Sequence, residues 1–253
     1  MSTTNNERFN AEANGWDSNP NVQLATALAH KALLARLPSN SNELSSYDVL
    51  EIGCGTGLLS LALAPAVRSL TAVDAAQGMI DVLQAKLLAK HQSHQHDINN
   101  VRAVCALLED PDDPRIQIDP VADHAEKGDS TDMHLRFDLV ISHLVLHHIP
   151  DLPAVLRTMF GCLKPGSGRV MLTDFEDFGP EARRFHPEGK MDGVERHGIA
   201  KGEMQELLVQ ARFVDVVVET AFEMEKLVET EPGSGIKGPT MTFPFLICTG
   251  RRP

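Results

Sequence analysis

The sequence contains no uninterrupted run of eighteen or more apolar residues, so no segment reads as a membrane-spanning helix. Its start, MSTTNNERFNAEANGW, has neither a basic n-region nor an apolar h-region, and the expectation is a soluble, cytoplasmic protein, with the nucleus also open to it. The four cysteines, Cys54, Cys105, Cys162 and Cys248, stand singly, with no C-x-x-C pair. That spacing argues against a thiolate zinc site and fits reduced thiols. Basic residues are the minority: 23 Lys and Arg against 35 Asp and Glu give a formal net charge of -12. An extended phosphate backbone is repelled on average, so nucleic acid is not expected as a partner, and neutral or cationic small molecules are favoured.

Against these absences stands one dense stretch, DVLEIGCGTGLLSLALA, from Asp48 to Ala64. Val49 to Ile52 reads as a buried strand and Leu58 to Ala64 as the start of a helix. Gly53, Gly55 and Gly57 lie at the junction, where glycine permits positive φ and lets a ligand approach the main chain. The dinucleotide fingerprint G-x-G-x-x-G is not met, because its third glycine would fall on Leu58. No Gly-Lys-Ser or Gly-Lys-Thr occurs, which excludes a P-loop. What remains is Glu51 two residues before G-x-G-x-G, with Asp74 at the tip of the second strand. The Asp74 carboxylate can accept from ribose hydroxyls and the Glu51 carboxylate can face an ammonium group. A ligand with a ribose and an amino-acid end, but no phosphate, matches both.

Along the chain, Asn21 to Leu37 has apolar residues at helical spacing behind Pro20. Strands Tyr47 to Ile52, Ser69 to Asp74, VRAVCAL, RFDLVIS and GRVMLTD alternate with helices at QGMIDVLQAKLLAK and DLPAVLRTMFGCLKPG. The alternation predicts a single domain built on a doubly wound parallel α/β sheet. Residues 1–40 form an N-terminal lid and helix, 41–178 the ligand-binding core, 179–212 an acceptor-side cover and 213–253 an antiparallel hairpin. Two polar tracts interrupt the core, near 90–100 and at 109–135, and read as surface insertions. His94 and His96 lie in the first and are taken as solvated. The start of the chain reads as irregular, although Phe9 and Trp16 would share a face if it were helical.

The segments VLEIGCGTGLLSLALA, LTAVDAAQGMIDVLQAKL and FDLVISHLVLHHIPDLPAVLRTMFGCLKPGSGRVMLTDFE resemble the class I S-adenosylmethionine-dependent methyltransferases, of the small-molecule branch that includes the ubiquinone/menaquinone enzymes. The resemblance implies a seven-stranded Rossmann-like sheet with its last strand antiparallel, and S-adenosylmethionine as cofactor, leaving as S-adenosylhomocysteine. It implies that Glu51 and the Gly53, Cys54, Gly55 and Gly57 turn hold the methionine portion. Asp74 and Ala75 would lie at the ribose, Met79 and Leu107 beside the adenine, and Ser142 and His143 at the methionine end. Trp16 would lie over the cofactor. Where the family often has an acid or amide beside the adenine, this chain has Ala106 and Leu107, leaving that contact to the backbone or Glu109. Cys54 would have its thiol pKa lowered if it sat at a helix N-terminus, but it is given no chemistry.

Methyl transfer from a sulfonium is an in-line displacement that needs a positioned nucleophile and, for a protonated acceptor, a base. His186 and His197 are the candidate base or acceptor-positioning pair, with Asp174 orienting one of them, and His143 is a further candidate. His147 and His148 read as loop supports. Two imidazoles and a carboxylate could also ligate a metal, but their separations give no ligand spacing, and no metal is assigned. Oxygen, nitrogen, sulfur and carbon acceptors stay open. Two rival readings are a cofactor-binding scaffold that docks a protein partner through 109–135, and a methyltransferase acting on proteins.

Overall fold

Five consecutive buried residues, Asp48–Ile52, form the first strand, β1, and a strand covered on both faces needs such a run rather than alternation. In this computed structural model, residues 3–38, 40–93, 98–118 and 134–253 are described. Among them the other strands are β2 (Ser69–Asp74), β3 (Val101–Cys105), β4 (Leu139–His143), β5 (Arg169–Phe175), β6 (Val214–Glu229) and β7 (Lys237–Arg251). The helices are α1 (Thr3–Trp16), α2 (Pro20–Leu34), α3 (Ser41–Leu44), α4 (Leu58–Leu63), α5 (Gln77–Ser93), α6 (Leu152–Cys162) and α7 (Lys201–Gln210). The strands form one sheet in the order β3-β2-β1-β4-β5-β7-β6. β1 to β5 pair in parallel, and β7 runs antiparallel to both β5 and β6. The expected sheet, with its reversed last strand, is the sheet observed.

Alternate residues of the central strands feed two cores. Leu50, Ile52 and Val140 face the layer of α6 and α7, while Val49, Leu139 and Ile141 face the layer with Leu33, Leu63 and Leu83. A third cluster, Phe175, Phe185, Phe243 and Phe245, lies where the pairing of β5 with β7 ends. Pro244 is tolerated in β7 because β5 stops pairing at Phe175 and Phe245, so the missing N–H faces no partner in β5. The Pro244 carbonyl still accepts from the Glu176 N–H at 2.8 Å.

Three expectations change. The start of the chain is helical, not irregular: α1 packs so closely on α5 that a Cβ at Gly78 would lie 3.0 Å from the Asn10 backbone, and Asn10 Oδ1 accepts from the Gly78 N–H at 2.7 Å. The ends of the 109–135 tract are built into the core rather than being surface insertion. Ile116 is fully buried, the Thr158 hydroxyl donates to the Glu109 carbonyl, and the Leu135 N–H donates to Gln117 Oε1. Residues 119–133, and 94–97 with His94 and His96, lie outside the described residues. Finally, β6 runs to Glu229, four residues beyond VDVVVETAFEME, the stretch whose β-branched content reads as a strand.

Candidate functional site

The strand order reverses between β2-β1 and β4-β5, and in an open α/β sheet ligands bind beyond the strand C-termini at such a point. Gly53, Gly55 and Gly57 all have positive φ there. A Cβ at Gly53 would lie 2.3 Å from Val145 Cγ2, whereas at Gly55 the nearest atom is Trp16 Nε1, 3.9 Å away. Gly53 is therefore demanded by packing as well as by φ, and Gly55 (φ 53°) by main-chain conformation beside an open space. Asp74 holds the turn in place: Oδ2 accepts from the Gly55 N–H and Oδ1 from the Ala76 N–H, each at 2.8 Å. Burial raises its carboxyl pKa, and these backbone donors pull the other way. Each oxygen keeps a further lone pair for a ligand hydroxyl.

Glu51 is 1% exposed, and its carboxylate accepts from the Ser60 hydroxyl. Burial pushes its pKa up to about 8, so the carboxyl holds its proton at pH 7 unless a nearby cation favours the ionised form. Glu51, Gly53, Gly55, Asp74, Met79, His143, Val145 and His148 line a cavity of about 110 Å³ covered by Phe9 and Trp16 of α1. A second cavity, about 410 Å³, continues from Gly53, Asp74 and Val145 past Ala75, Ala106, Leu107 and Glu109 to Ile149 and Pro150.

A third cavity, about 470 Å³, lies on the other side of Leu144 and His148. It shares Trp16, Val22, Leu144 and His148 with the first. Leu144 takes φ 56°, a costly conformation for a non-glycine residue that turns the chain sharply where the two spaces meet. Arg8, Arg184, Lys190, Lys226 and Lys237 line this third space against two carboxylates, Glu12 and Glu229. Its lining is cationic inside a chain of net charge -12, a local excess that the net charge behind the expectation of neutral or cationic molecules does not register. Lys226 donates to the Phe185 carbonyl and lies 4.2 Å above the Phe185 ring. Burial and then Lys190 lower its pKa to about 8.

A family model described as a methyltransferase domain matches residues 22–226. The chain belongs to this methyltransferase family. An uncharacterized methyltransferase of Schizosaccharomyces pombe is 29% identical over 156 residues, covering 62% of this chain and 47% of that protein. A malonyl-[acyl-carrier protein] O-methyltransferase of Bacillus anthracis is 28% identical over 156 residues, covering 61% and 46%. The chain thus spans about half the length of the curated relatives it matches. Among solved structures, a SAM-dependent methyltransferase of Thermotoga maritima superposes with a TM-score of 0.60 at 15% identity, covering 97% of this chain and 98% of that one. It shares the fold.

Within this methyltransferase domain several residues stand where the sequence did not put them. Cys54 lines the 110 Å³ cavity, but its thiol is pushed well up by burial, Asp74 and Glu51, the reverse of the lowering expected of a helix N-terminus, because α4 starts only at Leu58. Ser142 lines none of the three cavities; its hydroxyl donates to the Ile52 carbonyl at 2.7 Å and ties β4 to β1. Leu107 and Ala75 line the 410 Å³ space with Glu109, and Met79 lies under Phe9 and Trp16.

The expected His186/His197 pair does not form. His186 lines the cationic cavity, with its ring 5.0 Å from His147 and 5.9 Å from His148. His197 lines none of the three cavities, because its turn docks against β5: a Cβ at Gly198 would lie 2.6 Å from the Asp177 nitrogen, and Glu176 bridges Ile199. Asp174 orients neither of them. Its carboxylate meets His147 Nδ1 at 2.8 Å and the His147 N–H at 3.2 Å. Burial opposes the Asp174 charge, but His147 and the N–H groups of His147 and Phe175 outweigh it and hold the pKa below its usual value. His143 lines the 110 Å³ cavity, with Nδ1 2.8 Å from the Thr173 hydroxyl, and burial lowers its pKa to about 4. His148 is lowered to about 3 by burial, with His147 adding to the effect. These rings are neutral at pH 7 and weak as bases. Sequence reasoning missed His148 as a cavity wall, and the Leu-His-His run after the fourth strand was its only signal.

Proposed function

We propose that this protein transfers the methyl group of S-adenosylmethionine to a small acceptor that carries a negative charge. One observation carries the reading: an acidic, glycine-lined cavity and a cationic cavity share the wall of Trp16, Val22, Leu144 and His148. An ammonium group offsets the buried Glu51 carboxyl, and ribose hydroxyls find the remaining lone pairs of Asp74. The adenine then lies toward Ala75, Leu107 and Glu109. A cofactor seated this way brings its sulfonium to the shared wall. The acceptor, held by Lys226, Arg8 and their neighbours, approaches from the far side, as in-line displacement requires. Cationic neighbours favour the ionised form of a carboxylate, phenolate or thiolate, so the weakly basic histidines are not asked to remove a proton at pH 7. The O-methyltransferase among the relatives supports this direction.

Calorimetric titration with S-adenosylmethionine, S-adenosylhomocysteine and NAD tests the cofactor; binding of the first two and not of NAD is expected. A labelled-methyl screen of carboxylates, phenols, thiols and amines then tests the acceptor. Binding of NAD alone would reject the cofactor assignment. Transfer to cationic amines but not to anions would reject the acceptor class.

A further inference from the structure

His147, His148 and His186 stand together at the wall of the cationic cavity, each offering a ring nitrogen, and these three atoms lie within 4.8 Å of one another. Hydrogen bonds fix which nitrogen two of the rings offer. His148 Nδ1 lies 2.7 Å from the Gly193 carbonyl; a carbonyl only accepts, so Nδ1 carries the proton and Nε2 keeps its lone pair. His147 Nδ1 lies 2.8 Å and 3.0 Å from the two oxygens of Asp174. An ionised carboxylate also only accepts, so the His147 lone pair is again on Nε2. His147 is 2% exposed, and its Nε2 is buried without a hydrogen-bond partner. Buried polar atoms are rarely left so, and a missing ion is one of the standard reasons.

We propose that His147, His148 and His186 form a binding site for a divalent transition metal of the zinc class, with its fourth position open to the acceptor cavity. A carboxylate behind one ligating imidazole and a backbone carbonyl behind another are the supports that fix ring orientation at protein metal sites. Three imidazoles select zinc, cobalt, nickel or copper over magnesium and calcium, which take oxygen ligands. Tetrahedral bonds of 2.0–2.1 Å put the nitrogens about 3.4 Å apart, so rings standing up to 4.8 Å apart draw together on binding. His186 follows the Pro180–Phe185 turn and is half-buried, so its ring is the one with room to close the gap.

The role of the ion rests on the methyl-transfer reading; its binding does not. An acceptor O–H or S–H entering the fourth position releases its proton to solvent. Its lone pair then forms the bond to the methyl carbon as the sulfonium S–C bond breaks, and that electron pair returns to a neutral thioether sulfur. A protonated acceptor could react this way without a histidine base.

The test is metal binding itself. Protein stripped with a chelator is titrated with Zn²⁺ by calorimetry and with Co²⁺ by visible absorption. The expected result is one equivalent of each and a four-coordinate Co²⁺ spectrum. His148→Ala and His186→Gln should each weaken binding at least 100-fold, with circular dichroism reporting whether each variant keeps its fold. His186 lies off the central strands, so its variant keeps the test decisive should His148→Ala unfold. A His94→Ala/His96→Ala double variant should bind as the parent does. Absence of stoichiometric binding by the parent, a six-coordinate Co²⁺ spectrum, or binding kept in His186→Gln and lost in the His94/His96 variant would each overturn the proposal. None of these readouts depends on turnover, so failure of the metal site and failure of the methyl-transfer reading are separately visible.

Discussion

The two cavities that meet at Leu144 and His148 are opposites. One is built from parallel-strand ends and holds buried acids, Glu51 and Asp74; the other lies under β6, α1 and the Pro180–Lys190 segment and holds cations. The first takes its character from one short motif, and the second is gathered from four places in the chain. Net charge, a sum over the whole chain, describes neither. Local charge follows from which side chains the sheet ends bring together.

That contrast can be broken from either side. The largest expected effect is from Asp74→Ala, which removes the acceptor of two turn N–H groups as well as the ribose contact. Affinity for S-adenosylmethionine should fall by about 3 kcal/mol, roughly 150-fold, and calorimetry showing parent affinity would mean that the acidic side does not hold the ribose. Glu51→Gln should cost about 1.5–3 kcal/mol of cofactor binding while stabilising the free protein at alkaline pH. The sign follows from burial, which raises the Glu51 pKa from its ordinary 4.5 to about 8: the folded state holds the extra proton, so stability present below pH 4.5 is lost as pH rises through 8. Melting curves from pH 5 to 9 should therefore fall more steeply for the parent than for the Gln variant; parallel curves would show that Glu51 is not buried as an acid.

On the cationic side, Lys226→Met should raise KM for an anionic acceptor by about tenfold, on the order of 1.4 kcal/mol, with the cofactor Kd unchanged. An equal loss of affinity for both ligands would erase the division between the two spaces. The smallest effect belongs to their shared cover. Trp16, the single tryptophan, should change its emission when cofactor binds, and Trp16→Phe should move cofactor affinity by less than about 1 kcal/mol. Emission indifferent to saturating cofactor would remove Trp16 from the wall.

The acidic side was legible in the sequence because its signals are local. Glu51, the glycines and Asp74 fall within 24 consecutive residues, and strands buried on both faces announce themselves as apolar runs. The cationic side was not. Lys226 lies in β6, where most residues are partly buried or exposed and only Met224 and Val228 are buried, and Arg8 lies in a helix whose sequence, TTNNERFNAEANGW, has too few apolar residues to show a stripe. His147 was read as a loop support because its partner, Asp174, is 27 residues away and only the pairing of β4 with β5 brings them together. His197 was overvalued for the same reason: a neighbour of His186 in sequence, it belongs to a turn docked elsewhere.

α1 is fastened at both ends of its reach. Arg8 donates to the carbonyls of Lys190 and Asp192, Asn10 accepts from Gly78, and Asp17, just past the helix, accepts from the Thr56 hydroxyl at 2.5 Å. Phe9 and Trp16 close the acidic cavity, while Arg8, Glu12 and Trp16 close the cationic one, and no α1 residue lines the 410 Å³ space beyond Asp74. One latch thus serves two compartments and leaves the third ajar. Under the proposed methyl transfer, the acidic and cationic compartments would share a single cover, held by the same few hydrogen bonds, and undocking of α1 would open both at once.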